Sequence, residues 1–345
     1  MTLTIEQARG EWSPQGVYCN TASFGLPPAR AFDALQSALA DWRTGRTSWE
    51  GWGDETQRAR EVWARIAGVP ADWVATGVVV SAMVGIVAAS LPDGAHVVAP
   101  DIEFTSNLWP FVAQGRGITV ETVPAARLAE SIDARTDVVA FSAAHSATGE
   151  VADLEAVAQA AAAHGALSVC DATQAIGWLP VDAARFDVVT CSAYKWLMSP
   201  RGSAFMSVRP EVLERLTPQA AGWFAGADIH GSYYGMPMRL ASGARRLDVS
   251  PAWFSWVGTT PALELIEEIG IAAIHAHDVA LANRLRAGLG LEPSDSAIVS
   301  AAVPGAAERL AGTEVMAATR AGALRASFHL YNTEADVDRI LELLG

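Results

Sequence analysis

TCSAYKWLMSPRG, residues Thr190 to Gly202, sets a lysine directly after a largely apolar run (Phe186 to Cys191) and walls it in with Tyr194, Trp196, Leu197 and Met198. No carboxylate stands within Thr190 to Gly202. A lysine with apolar neighbours ordinarily carries its charge out to solvent along its stem. One that is buried has a depressed pKa, and its amine is nucleophilic near neutral pH. Lys195 is therefore either a paired structural cation or a reactive amine, and the ends of the neighbouring strands decide between the two.

From about Ala75 to Val208, the runs HVVAP, ITVETV, DVVAFSA, ALSVCD, DVVTCSA and SAFMSV alternate with Ala-rich stretches such as LEAVAQAAAAHG. That alternation predicts a mostly parallel sheet covered by helices on both faces. Ligands of such sheets gather at the carboxyl ends of the strands. Three of those ends carry polar residues: Ser142 to Gly149, Asp171 to Gln174, and Ser192 to Lys195. The uncharged stretch from Trp73 to Pro92 approaches the ~20 residues that a bilayer crossing requires, but Thr76, Gly77, Ser81, Gly85 and Ser90 interrupt it. It reads as a buried strand, turn and helix. Gly222 to Gly258 is rich in Gly, Trp and Tyr and reads as a long irregular region near the substrate. From Thr260 a long helical stretch, the short strands AIVSAAV and ALRASFHL, and a closing helix, TEADVDRILELL, form an α+β appendage onto which the N-terminal residues fold. The expected division is a large cofactor-binding domain, 25–245, and a small domain made of 1–24 and 246–345.

The chain has 345 residues, 51% hydrophobic and 18% charged, enough to bury a large core. Its net charge of -14 argues against a nucleic-acid partner, since such affinity comes from Lys and Arg neutralising phosphates. A cationic small molecule is better tolerated. Cys19, Cys170 and Cys191 have neither CxxC nor Cys/His spacing, so no disulfide framework and no metal site are expected, and the setting reads as reducing and cytoplasmic. MTLTIEQARGEW lacks a basic segment followed by an apolar core, so no secretory signal is expected.

Upstream of Lys195 lies VCDATQAIG. Taken alone, Asp171 and Gln174 form a helix capping box of the D-x-x-Q type. Beside a lysine at the end of the next strand, Asp171 takes on a second meaning. A carboxylate facing a pyridine nitrogen and a lysine forming an imine are the two groups that make pyridoxal 5'-phosphate (PLP) an electron sink.

The runs HSATGEVADLEAV, CDATQAIGWLPVDA, SAYKWLMSPRGSAF, AGWFAG, DVSPAWFSWVG and LRASFHLYNTEADVDRIL span most of the chain. They resemble the class V aminotransferase-like enzymes of PLP fold type I, the group that includes cysteine desulfurases and kynureninases. Within that group they are most similar to the C-S lyases of ergothioneine biosynthesis. The resemblance implies an α/β fold with a mostly parallel seven-stranded sheet and a smaller α+β domain, PLP as cofactor, and a homodimer. It implies that Lys195 is the catalytic residue that holds PLP, that Asp171 pairs with the pyridine nitrogen and that Gln174 bonds the ring oxygen. Phe104 falls where the family stacks a ring on the cofactor face, and Ala82 and Met83 fall at the phosphate-binding strand-to-helix turn. Ser192 and Tyr194 add hydroxyl contacts. Two positions depart from the pattern: Ser146 replaces an asparagine of the desulfurases, and Met83 stands where a threonine is usual.

Arg325 matches the arginine that clamps the substrate carboxylate, a geometry suited to a guanidinium; the alternative is a surface pair with a nearby glutamate. Asn20 and Ser23 are expected at the substrate as well, which is a small-molecule amino acid. The stretch AGTEVMAATRAGA, where desulfurases carry a mobile cysteine, has none. The resemblance then implies β-elimination: proton removal from Cα, loss of a group from Cβ, and release of pyruvate and ammonia. For a hercynylcysteine sulfoxide the departing group bears a trimethylammonium, which favours aromatic faces, and Trp49, Trp52, Trp223, Trp253, Trp256, Tyr233 and Tyr234 are candidates to meet it. The rivals are an epimerase, a kynureninase-like hydrolase and a desulfurase-like enzyme. Outside enzymes the rival is a scaffold that has lost activity, against which the intact Lys195, Asp171 and Arg325 argue.

Overall fold

A computed structural model of the chain describes residues 3–345. Twelve strands are present among them: β1 Val17–Tyr18, β2 Val74–Gly77, β3 His96–Pro100, β4 Thr119–Val123, β5 Val138–Ser142, β6 Leu167–Asp171, β7 Val188–Ser192, β8 Ala204–Val208, β9 Ile298–Ala301, β10 Val315–Met316, β11 Ala318–Arg320 and β12 Ala323–Ser327. Seven form one sheet in the order β2-β8-β7-β6-β5-β3-β4. β8 runs antiparallel to both its neighbours, and the other pairs are parallel. The protein is an α/β fold with a mostly parallel seven-stranded sheet, as expected.

The middle strands β5, β6 and β7 are buried along their whole length, which is why they read as near-continuous apolar runs. Their side chains alternate between two cores. Val139 and Phe141 enter the one that contains Trp63 and Trp178. Val138 and Ala140 enter the other, with Val87 and Phe111. At the edge, β4 is mostly exposed, and its Thr119, Glu121 and Thr122 face water without an apolar row to recruit another strand. The candidate membrane stretch is β2 followed by the helix Val80–Ser90, and no helix among the described residues is long and apolar enough to cross a membrane.

The C-terminal region departs from expectation in two places. The irregular region ends at Ala252, because a helix, Trp253–Ile269, begins there. The long helical stretch is two helices, broken at Gly270 (φ 88) before Ile271–Gly288. A left-handed residue cannot continue a right-handed helix, and glycine adopts that conformation at least cost. β11, β12 and β9 form an antiparallel sheet, and β1 pairs in parallel with β10. The N-terminal segment thus lies against the C-terminal sheet, with Ser327 N donating to the Cys19 carbonyl. The division into 25–245 and 1–24 with 246–345 remains a proposal; residues 1 and 2 lie outside the described residues. The helix Trp253–Ile269 also packs along the helices Ala29–Thr44 and Trp49–Ala67, so it connects the two units.

Candidate active site

The carboxyl ends of β2, β3, β5, β6 and β7 surround a cavity of about 290 Å³. Register places the polar ends side by side, with Asp171 opposite Ser142 on one flank and Thr190 on the other. Phe104, Ser146, Asp171, Gln174, Ser192, Tyr194 and Lys195 all line the cavity.

Lys195 stands in a tight loop after β7. Met198 takes a left-handed conformation (φ 50), and its amide donates to the Lys195 carbonyl at 3.0 Å. Two glycines let other backbone approach this loop. A Cβ on Gly25 would sit 2.0 Å from the Lys195 carbonyl oxygen, and one on Gly177 (φ 120) would sit 2.6 Å from that of Trp196. Lys195 is 7% exposed, with Nζ 5.6 Å from the Phe104 ring centroid and 5.7 Å from that of Tyr194. Burial brings its amine down to about 8, while Asp171 pulls the other way. The amine therefore gives up its proton more readily than an ordinary lysine's.

Asp171 is 5% exposed. Its Oδ1 accepts from the Thr173 amide at 2.9 Å, and burial raises its pKa against the opposing effects of Thr173 and Lys195. Gln174 does not reach back to Asp171, so the capping box is absent. Its Nε2 donates to the Ala22 carbonyl and to Ser146 Oγ, and its Oε1 accepts from Trp196 Nε1. Both amide protons are engaged. To bond a cofactor's ring oxygen directly, Gln174 has to release Ser146.

The phosphate-turn expectation, Ala82 and Met83, falls one and two residues past the part of this turn that lines the cavity. Val79, Val80 and Ser81 line the cavity. The helix starts at Val80, which leaves the amides of Val80, Ser81 and Ala82 without helical partners. Met83 is elsewhere. Its amide donates to the Val79 carbonyl and its side chain is buried in the apolar core.

Arg325, on β12, is 1% exposed. Nη1 donates to the Ser146 carbonyl and Nη2 to Ser23 Oγ, both at 2.6 Å. Nε has no partner. Burial, with Arg320 adding its charge, brings the guanidinium down to about 10. The surface glutamate pair is absent: this is a buried cation with no carboxylate partner among the described residues. Such a charge is costly unless something anionic completes it. Ser146 Oγ accepts from both Gln174 and Arg325, which joins the cavity to the guanidinium. Asn20 is near by chain but bonds neither group, and its Oδ1 is unpartnered.

Glu103 and Arg201 have no role in the sequence reading, and Ser142 and Thr173 enter it only as members of polar strand ends. Glu103 is 7% exposed and accepts from the amides of Ser142 and Phe104 and from the Ser142 hydroxyl. Burial pushes it up to about 7 despite those bonds, and Asp171 adds to the rise. Glu103 fixes the backbone of Phe104, the residue expected on the cofactor face. Thr173 was visible in DATQ, and its hydroxyl accepts from the Ser192 amide. Arg201 lines the cavity and stacks on Tyr194 at 5.0 Å.

The cavity fits PLP. A neutralisable lysine, a buried carboxylate, an exposed aromatic face at Phe104 and unpaired helix-start amides meet the requirements of an aldehyde, a pyridine nitrogen, a ring and a phosphate. A family model described as aminotransferase class-V matches residues 74–309. The chain is 28% identical to isopenicillin N epimerase of Streptomyces clavuligerus over 98% of this chain and 97% of that protein. It is 24% identical to a probable cysteine desulfurase of Methanothermobacter thermautotrophicus over 95% and 94%. In structure it is similar to the cystine C-S lyase C-DES, solved in complex with its reaction product cysteine persulfide, with a TM-score of 0.84, 20% identity, and coverage of 95% of this chain and 97% of that one. The chain belongs to the class-V aminotransferase family, and its active-site cavity fits that family's cofactor.

Proposed function

We propose that the protein cleaves the C-S bond of an S-substituted cysteine sulfoxide by β-elimination, with hercynylcysteine sulfoxide as the substrate. The observation that carries this reading is the buried, carboxylate-free Arg325 joined through Ser146 to the Lys195 cavity, at which no thiol stands. PLP, when bound, supplies the electron sink. Arg325 holds the substrate carboxylate in place of part of its present contacts to Ser146 and Ser23. Lys195 Nζ takes the Cα proton, and the Cβ–S electron pair leaves with the sulfenate. Water then releases pyruvate and ammonia. The cysteines argue against a persulfide on the chain itself: Cys19, Cys170 and Cys191 are each 0% exposed, and burial raises all three thiols, which suppresses the nucleophilic thiolate.

The distal group supports the same reading. Trp49 is surrounded by Trp223, His230, Tyr233 and Trp253 at centroid separations of 5.0 to 6.4 Å. The cleft beside it carries Glu50, Asp54 and Asp228, with Arg60 and Arg245 also in its lining; Arg60 is paired with Asp248. Aromatic faces with carboxylates suit a quaternary ammonium. Ser255, two residues after Trp253 of the cluster, donates its Oγ to the Arg201 carbonyl, and Arg201 lines the cavity.

The test is direct: purified protein is given hercynylcysteine sulfoxide, simpler S-substituted cysteine sulfoxides and L-cysteine, and pyruvate, sulfide and alanine are measured, with a variant carrying serine at all three cysteines run alongside. Pyruvate from the sulfoxides in both proteins is expected. Alanine and sulfur transfer that vanish in the cysteine-free protein would establish a desulfurase instead. Epimerisation is the second reading, favoured by the near full-length match to an epimerase; deuterium entering Cα without pyruvate would establish it.

Arg325→Ala is expected to lower kcat/KM by about 10- to 100-fold, the worth of a charged hydrogen bond of roughly 1.5 to 3 kcal/mol. Lysine should restore only part, lacking the planar fork. Cofactor loading should survive in both, and unchanged kcat/KM in the loaded protein would make Arg325 structural. We also infer a homodimer. Phe24, Ile102, Phe104, Trp109 and Val112 are exposed on the segments at or next to the cavity mouth, and grouped exposed apolar residues mark an interaction face. Sedimentation should report twice the chain mass, and an active species of one chain mass would exclude it.

A further inference from the structure

His329 lies just past the end of β12, four residues beyond Arg325, and is fully buried. Its ring spans two acceptors. Nδ1 stands 2.7 Å from Asp278 Oδ2, and Nε2 stands 3.0 Å from the Trp196 carbonyl. A carbonyl oxygen can only accept, so Nε2 carries a hydrogen and donates it. Asp278, on the helix Ile271–Gly288, is fully buried and bonds the other nitrogen, which fixes the ring's orientation.

The Trp196 carbonyl belongs to the residue directly after Lys195, and Gly177 pins it from another side, where a Cβ would come within 2.6 Å. The Trp196 side chain continues the connection. Its ring meets His329 edge-on at 5.4 Å, and its Nε1 donates to Gln174 Oε1 at 2.8 Å. One imidazole therefore holds the backbone of the lysine loop and, through Trp196, the amide of Gln174. The same short segment carries Arg325.

We propose that His329, backed by Asp278, is a positioning residue for Lys195. It holds the Lys195–Trp196 backbone where Nζ faces the cavity, and it registers the segment bearing Arg325 against that lysine. The inference rests on the reading of Lys195 as the cofactor-binding residue, and the experiment separates the two. In His329→Gln the side-chain amide nitrogen reaches the place of Nε2 and can still donate to the Trp196 carbonyl. In His329→Asn it reaches only the place of Nδ1.

The metal-free, cofactor-free protein is mixed with PLP, and the visible band of lysine-bound cofactor is followed in time, together with kcat, KM and the thermal melt. For His329→Asn, band formation and kcat should each fall about 10-fold with KM nearly unchanged, since misplacement of a reacting group acts on chemistry. His329→Gln should stay within about 3-fold of the parent, a loss smaller than that of one whole hydrogen bond. Gln and Asn variants that behave alike, or losses that follow only the folded fraction in the melts, would overturn the role of His329. A parent protein that forms no band at all would overturn the reading of Lys195 itself.

Discussion

Lys195→Met is expected to abolish turnover, with the lost proton transfer alone costing about 10²- to 10⁴-fold in kcat. Borohydride reduction of the loaded parent should fix the cofactor on the peptide that contains Lys195, and on none in the variant. Lys195 is the one lysine in the sequence, so a loaded parent in which borohydride leaves the cofactor on no peptide, or on the N-terminal amine, overturns the assignment. The substitution also has a stability signature in the cofactor-free protein. The buried amine sits at about 8 against an ordinary 10.5, so the native state binds this proton less tightly than the unfolded chain does. The cost of burying the ammonium is present in full below about 8, where both states are charged, and is relieved as pH rises toward 10.5. Denaturant melts should therefore show Lys195→Met more stable than the parent below about 8, with the gap closing at higher pH. A pH-independent gap would mean that the amine finds an anionic partner in solution.

Asp171→Ala is expected to lower kcat by about 10²- to 10³-fold, the range for removing a preorganised charge from a site closed to water. Asp171 would otherwise keep the pyridine nitrogen protonated, and its loss should also weaken cofactor affinity, read by titration with PLP. Asp171→Asn serves as the control, since it keeps an acceptor for the Thr173 amide while removing the charge. Both variants should be impaired. If Asn turns over normally and only Ala fails, the carboxylate is a turn-forming group for Thr173 and its charge has no part in the chemistry.

The large sheet was legible because β5, β6 and β7 are buried on both faces and carry an uninterrupted apolar signal. Lys195, Asp171, Gln174, Ser192 and Tyr194 were legible for a related reason: they sit within a few residues of strand ends, where the fold collects its ligands. Contacts made across long stretches of chain were not. Glu103 is an ordinary acidic residue until Ser142 is set beside it, and nothing local in PDIEFTSN marks it as buried. Met83 was expected at the phosphate turn, but its amide bonds the Val79 carbonyl and its side chain lies in the core, neither of which is visible in the local sequence. The break at Gly270 was masked by helix-forming residues on either side, and the start of its helix at Trp253 by the aromatic residues around it. Arg325 was found by its motif, but its isolation from every carboxylate could be seen only in three dimensions.

The pairing of β1 with β10 and the bond from Ser327 to Cys19 bear on the order in which the chain can be completed during synthesis. Val17 meets Val315, so the first strand to leave the ribosome has no partner until nearly all of the chain has followed it. At about 5–20 residues per second this interval is on the order of tens of seconds. The large sheet can assemble in that time, since β2 to β8 are contiguous in sequence. Ser23 and Arg325 cannot meet until the end. A nascent chain can therefore hold an assembled sheet before Arg325 and His329 reach it, and under the proposed roles of those two residues the substrate side of the cavity is completed only late in synthesis.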